Sequence, residues 1–310
     1  MSFADEIDVF YGRVTHSSAQ VYVRVSSLVG GGEWSIAGHV RGPIAGGTRT
    51  LPTTVALKDL GEGATLLGSC SIPDPAFWTT QLPVFYEVQI QLRRTGEVIE
   101  TVDRSLGIRF FGASGRGFRW EGKRWVLRGG STPVSDVEGI DAFKDNAGVI
   151  VVKDPSESLL CGASSSGVLL VAELTSGGLL RELRSLCRWP AAAIVILPGD
   201  CDATNEFRAA APNLLFAERI DPSSAKKPAD WAQVIFCDAT NIEEFNNATN
   251  HLAVPVVAER RLNGDHTLSA ARHECDCLQR DLASLGDFAG YVVHVGSSAS
   301  YEGPPSPSKQ

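Results

Sequence analysis

The stretch "GVLLVAELTSGGLLRELRSLCRWPAAAIVILPGD", residues 167–200, holds an apolar run, a segment with apolar residues three and four apart, and a second apolar run that stops at Asp200. A run apolar on both faces reads as a strand covered on both sides, and the three-four spacing reads as one face of a helix. Together they predict strand, helix, strand, the repeating unit of a parallel sheet.

The same rhythm extends in both directions. Apolar runs recur at "AGVIVVKDP" (147–155), "NLLFAERI" (213–220), "WAQVIFCDA" (231–239), "AVPVVAERR" (253–261) and "FAGYVVHVG" (288–296), and "SAARHECDCLQRDLASL" between the last two carries helical spacing. With "KRWVLRGG" (123–130) at the front, the predicted strands number eight, which suits a closed (β/α)8 TIM barrel over residues 113–300. A doubly wound open sheet has the same local pattern, and periodicity does not separate the two.

Residues 1–112 follow a different period. In "SAQVYVRVSS" Val21, Val23 and Val25 share one face, and in "VFYEVQIQLRR" Tyr86, Val88, Ile90 and Leu92 alternate with Phe85, Glu87, Gln89 and Gln91. Short strands broken by "GGG", "RTGE" and Pro-rich turns predict an immunoglobulin-like β-sandwich. The fold class expected is therefore multidomain, β followed by α/β: a sandwich (1–112), a compact barrel (113–300) and a Pro/Ser-rich tail (301–310) read as disordered. "GASGRGFRW" (112–120) has the glycines of a phosphate loop but opens no helix, so it reads as a hairpin between the domains.

Composition narrows the function classes. The chain has 310 residues, 43% hydrophobic and 21% charged, with a formal net charge of -8. That balance suits a folded globular chain, and the absence of a Lys/Arg cluster argues against a nucleic-acid partner. The acidic start "MSFADEIDVFYGR" and the lack of a run of roughly 20 apolar residues argue against export and a membrane span, so a soluble cytoplasmic chain is expected. Seven scattered cysteines read as reduced thiols. "HECDC" (273–277) sits in a helical pattern that turns positions two apart to different faces, so neither a metal nor any other cofactor is expected.

In a parallel barrel the chemistry gathers where strands end. Those positions are Lys153 with Asp154, Glu173, Asp200, Glu218, Asp238, Glu259 and His294. An acid there also caps the following turn or helix, a reading that suits Asp154 before Pro155 and Asp238 before "ATN".

The junction between the halves carries a more specific signal. Trp78, Pro83 and Tyr86, then Gly107, Ile108 and Arg109, then Glu121, Gly122 and Lys123, then Arg128 and Gly129, follow one another in an order and spacing that resembles glycoside hydrolase family 2, the β-galactosidase, β-glucuronidase and β-mannosidase group. The resemblance continues through "RWPAAAIVILPGD" and "VPVVAERR". It places Asp200 at the family's acid/base position and Glu259 at its nucleophile position, and implies a retaining β-glycosidase that hydrolyses O-glycosyl bonds. A retaining enzyme holds two carboxyl groups about 5 Å apart, one to protonate the leaving oxygen and one to attack the anomeric carbon. Lys153, Glu173, Glu218 and His294 would then contact a carbohydrate or glycoside ligand, with Trp231 and Trp189 as further wall candidates, although Trp189 precedes strand four and reads rather as packed core.

Several positions depart from the family pattern. Asp200 is one methylene shorter than the Glu expected there, and displacement of a catalytic group by that much costs on the order of 100-fold. Gly199 replaces an Asn, Val195 a Trp, Lys153 an Arg, and no Trp follows strand eight near Val293 and His294. The expectation is a truncated and divergent member without the usual preceding jelly-roll domain, its active site eroded. The alternative is an inactive homologue that binds carbohydrate or another protein, with room for an oligomer in which a second chain completes the site wall.

Overall fold

The computed structural model describes residues 3–295 except 47–50, 132–139, 141–142, 145–147, 176, 202–204, 225–226 and 263–267. The expected tail at 301–310 lies outside the described residues.

Seven antiparallel strands form the N-terminal half: β1 (Ile7–Val14), β2 (Ser18–Val25), β3 (Trp34–Ala45), β4 (Thr53–Asp59), β5 (Leu66–Pro73), β6 (Val84–Arg94) and β7 (Glu97–Leu106), in the order β1-β2-β5-β4-β3-β6-β7. β4 pairs with β3 from Gly42 to Gly38 but meets β5 only at Lys58 and Asp59, so the sheet turns a corner there and folds over itself. The period of two then buries Val21, Val23 and Val25 from one layer against Ile36, Val40, Val88, Ile90 and Leu92 from the other.

A three-stranded hairpin sheet follows: β8 (Phe111–Ser114), β9 (Gly117–Trp120) and β10 (Lys123–Trp125). The glycine-rich "GASGRGFRW" supplies its first turn, where Gly115 takes φ 56°. Phe118 and Trp120 from this sheet, with Phe111 and Trp125 beside them, join one apolar cluster with the inward-facing residues of the strands that come next.

Those strands are β11 (Leu127–Ser131), β12 (Val149–Lys153), β13 (Leu169–Glu173), β14 (Ala192–Leu197), β15 (Leu215–Ile220), β16 (Val234–Asp238), β17 (Val256–Leu262) and β18 (Gly290–Val295), all parallel. β18 pairs with β11 and closes the barrel, which decides between the two architectures that periodicity left open. Around it lie α1 (Glu157–Ser166), α2 (Leu179–Leu186), α3 (Asn205–Ala210), α4 (Ile242–Thr249) and α5 (Leu268–Asp281). The Ser156 hydroxyl accepts the Leu159 N–H at the start of α1, and the Asn241 side chain accepts the Glu243 and Glu244 N–H groups at the start of α4. Between β15 and β16 the described residues contain no helix, so the repeat is less regular than eight complete strand-helix units.

Sandwich and barrel are joined through buried polar anchors. Arg109 is buried and donates to the Tyr11 hydroxyl and to the carbonyls of Pro190, Ala192 and Asn213. The Trp78 indole N–H donates to Ser164 O at 2.8 Å. Arg24, paired with Asp8 at 3.1 Å, reaches Ala209 O at 3.0 Å. Gly107 lies against the Pro190 ring, which fills the space a Cβ would need. Of the residues that carried the family resemblance, Trp78, Gly107 and Arg109 hold the two domains together.

Candidate functional site at the barrel mouth

Along each barrel strand alternate residues face inward. Val149 and Val151, Leu169 and Val171, Ile194 and Ile196, Val234 and Phe236 fill the interior. The next inward positions toward the strand ends bring Glu173, Arg219, Asp238, Glu259, Arg261 and His294 around a cavity of about 690 Å³, with Thr175, Pro198, Gly199 and Asp221 on its rim.

Glu259 is the centre of this layer. It is buried, with both carboxylate oxygens occupied: Arg219 Nε donates to Oε2 at 2.8 Å, Arg219 Nη2 to Oε1 at 3.1 Å, and His294 Nε2 stands 3.1 Å from Oε1. Arg219 Nη1 also contacts Glu173 Oε1 at 2.6 Å. On the far side of the imidazole, Ser131 Oγ lies 2.7 Å from His294 Nδ1. Burial by itself would raise the Glu259 carboxyl; the His294 hydrogen bond and the Arg219 charge outweigh it and hold the group at about 2. The carboxyl is thus ionised across the ordinary pH range.

The residues picked out by sequence fall into two groups. Glu173, Glu259 and His294 meet in the cavity. Asp200 sits on an exposed turn after β14 and Lys153 is exposed at the end of β12, and neither is among the residues that line the cavity. Glu218 is buried facing the opposite way, where its Oε2 accepts the Ala229 N–H at 2.6 Å. Its neighbour Arg219 takes the inward position on β15. Trp231 donates to Cys201 O, and Trp189 lies under the Arg188 guanidinium at 4.6 Å; neither lines the cavity.

Asp154 and Asp238 act as turn acceptors. Asp154 receives the Thr175 N–H and hydroxyl, and Asp238 receives the Thr240 N–H. In the "HECDC" segment, Cys275 is buried and donates toward Gly129 O and Tyr291 O, while Cys277 points outward near His273. No group of three or more His, Cys, Asp and Glu side chains among the described residues could hold a metal ion.

Sequence reasoning missed Arg219, Arg261 and Ser131. Arg219 follows a run that is apolar on both faces, so alternation gives no parity from which to choose between Glu218 and Arg219. The pairing of Glu218 with Ile235 and of Arg219 with Phe236 supplies it.

A sandwich joined to a closed parallel barrel is the fold shared by solved glycoside hydrolase family 2 structures. The comparisons agree. Residues 8–109 match the family model described as "Glycosyl hydrolases family 2". Among solved structures, a glycosyl hydrolase family 2 member from Bacteroides cellulosilyticus aligns with a TM-score of 0.66 at 15% identity, over 94% of this chain and 45% of that one. A β-glucuronidase from Parabacteroides merdae aligns at 0.63 and 14%, over 95% and 47%. Bacteroides uniformis β-glucuronidase 2, covalently bound to cyclophellitol-6-carboxylate aziridine, aligns at 0.61 and 16%, over 94% and 45%. The chain thus spans about half the length of these structures. No curated protein matches it. No helix of the described residues is long and apolar enough to cross a membrane.

Proposed function

We propose that this chain binds a carbohydrate at the barrel mouth without cutting its glycosidic bond by the two-carboxylate mechanism. The carrying observation is the state of Glu259. A nucleophile needs an electron-rich oxygen, and three of the four lone-pair sites of Glu259 accept charge-assisted hydrogen bonds from Arg219 and His294, which draws charge from the carboxylate and makes it a weak nucleophile. Asp200 is exposed and outside the lining although Gly199 beside it is on the rim, which leaves the second carboxylate unsupported for proton transfer.

What favours a sugar as ligand is the lining itself. Arg261, Thr175, Asp221 and Asp238 offer a mixed set of donors and acceptors for hydroxyl groups. The lining includes no Trp, Tyr or Phe among the described residues, so the stacking that strengthens sugar binding is missing and affinity falls in the millimolar range, about -4 kcal/mol. The solved neighbour with a covalent sugar-like inhibitor lends the same fold a carbohydrate context.

The test combines hydrolysis and binding. Aryl β-galactoside, glucoside, glucuronide and mannoside should show no turnover, and a mechanism-based fluoroglycoside should leave Glu259 unlabelled. Saturation-transfer NMR with the matching monosaccharides should detect weak binding that Arg261→Ala abolishes. Glycoside hydrolysis lost in both Glu259→Gln and Asp200→Asn would overturn the proposal and restore the retaining mechanism.

A further inference from the structure

We propose that Ser131, His294 and Glu259 are the nucleophile, base and acid of an acyl-transfer triad, taking a carboxylic ester of a small alcohol or sugar hydroxyl as substrate. Three strand ends bring them together. Ser131 closes β11 and pairs in register with His294 on β18, and His294 pairs in register with Arg261 on β17. Ser131, His294 and Arg261 therefore lie in one row across the barrel mouth, and Glu259 sits one inward position deeper on β17.

The hydrogen bonds run in the order such chemistry needs. The Glu259 carboxylate can only accept, so in the neutral imidazole the hydrogen resides on Nε2 and points to Oε1 at 3.1 Å. The Nδ1 lone pair then faces the Ser131 hydroxyl at 2.7 Å. A base beside the hydroxyl, oriented by a third group, is the arrangement that activates a serine. The two imidazole nitrogens serve here in the reverse of the order common in serine proteases, and the roles are unchanged. His294 is partly exposed, at 23% of its side chain, and lines the cavity; Ser131 lies just outside that lining, partly buried, and reaches it through its hydrogen bond to His294. Glu259, held at about 2, remains ionised to stabilise the imidazolium. Arg219 shares that carboxylate and so weakens the support, which predicts a modest rate.

The chemistry balances with water alone. Ser131 Oγ attacks the ester carbonyl carbon as its proton passes to His294 Nδ1. The bond from that carbon to the alcohol oxygen breaks, and the leaving oxygen takes the proton back. Water, deprotonated by the same nitrogen, then attacks the acyl-serine, releasing the carboxylic acid and restoring the hydroxyl. Arg261, in the same row, supplies positive charge for the oxyanion. Such a triad works whether or not the mouth also holds a free carbohydrate, and glycoside hydrolysis is a separate readout.

The experiment is performed on the whole chain carrying Cys161→Ser, which removes the exposed thiol as a competing nucleophile. A fluorophosphonate probe with peptide mapping should label Ser131, and p-nitrophenyl acetate should be hydrolysed with an acyl-enzyme burst. Ser131→Ala should abolish the label and lower turnover on the order of 10²- to 10⁴-fold, and His294→Gln should do the same with the native circular dichroism retained. Absence of a label on Ser131 in the chain that keeps this serine overturns the proposal, whatever the variants do. So does ester turnover that Ser131→Ala leaves unchanged.

Discussion

Glu259 is a buried carboxylate that accepts charge-assisted hydrogen bonds from a guanidinium and an imidazole, and its own chemistry makes the fold sensitive to acid. The folded carboxyl is held at about 2, against an ordinary value of 4.5. Between those two pH values the unfolded chain binds the proton and the folded chain does not. The stabilisation from this group is therefore complete above the ordinary value and is lost as pH falls toward 2, to a total of about 3 kcal/mol. Urea denaturation from pH 7 down to pH 2 should record that loss in the wild type. Glu259→Gln should be about 3 kcal/mol less stable at pH 7, because it leaves Arg219 with Glu173 as its remaining carboxylate, and its stability should change much less with acid. Equal acid slopes for the two proteins would sink this account.

At the scale of elements, the segment from Gly107 to Arg109 seats the end of β7 against the loop that enters β14. Gly107 is needed because the Pro190 ring occupies the space of a side chain, its Cβ lying 2.5 Å from the point where an alanine methyl would stand. A proline ring has little freedom to move aside, so Gly107→Ala should destabilise by about 1–3 kcal/mol, the cost of overpacking a tight contact. Thermal unfolding checks it, and an unchanged Tm would mean that the sandwich and barrel slide past each other freely. The aromatic hairpin that follows closes the barrel from beneath, since Phe118 and Trp120 share one cluster with Val149, Val171 and Val257 of the interior. Chemistry is thereby confined to the opposite end, where Glu173, Arg219, Glu259 and His294 stand.

For the whole molecule, Arg109, Trp78 and Arg24 each cross from sandwich to barrel through hydrogen bonds to main-chain carbonyls. We expect a single cooperative unfolding transition, because neither half can leave without exposing these groups unpaired. Arg109→Met keeps the apolar stem but strands the carbonyls of Pro190, Ala192 and Asn213, at a cost of more than about 3 kcal/mol. Its urea transition, followed by far-UV circular dichroism and by tryptophan fluorescence, should split into two that no longer coincide. One coincident transition at the wild-type midpoint would show that the anchors are dispensable.

The sequence by itself determined the two periods, two in the first third and strand-helix after it, because burial of one face or both leaves its mark on every residue of a strand. It also marked Gly107, Arg109 and Trp78 as a unit, and it singled out Glu173, Glu259 and His294 as strand ends. The tertiary structure decided closure of the barrel, which depends on the pairing of β11 with β18 across more than half the chain. It also decided which strand-end residue faces the cavity. On β15 both neighbours of the ambiguous pair are apolar, so only the register with β16 turns Arg219 inward and Glu218 out. Ser131 was invisible for a related reason: a serine after two glycines says nothing until β18 sets His294 beside it. Side-chain identity is local, but the meeting of Ser131, His294, Glu259 and Arg219 is a property of strand register, which forms only when the barrel closes.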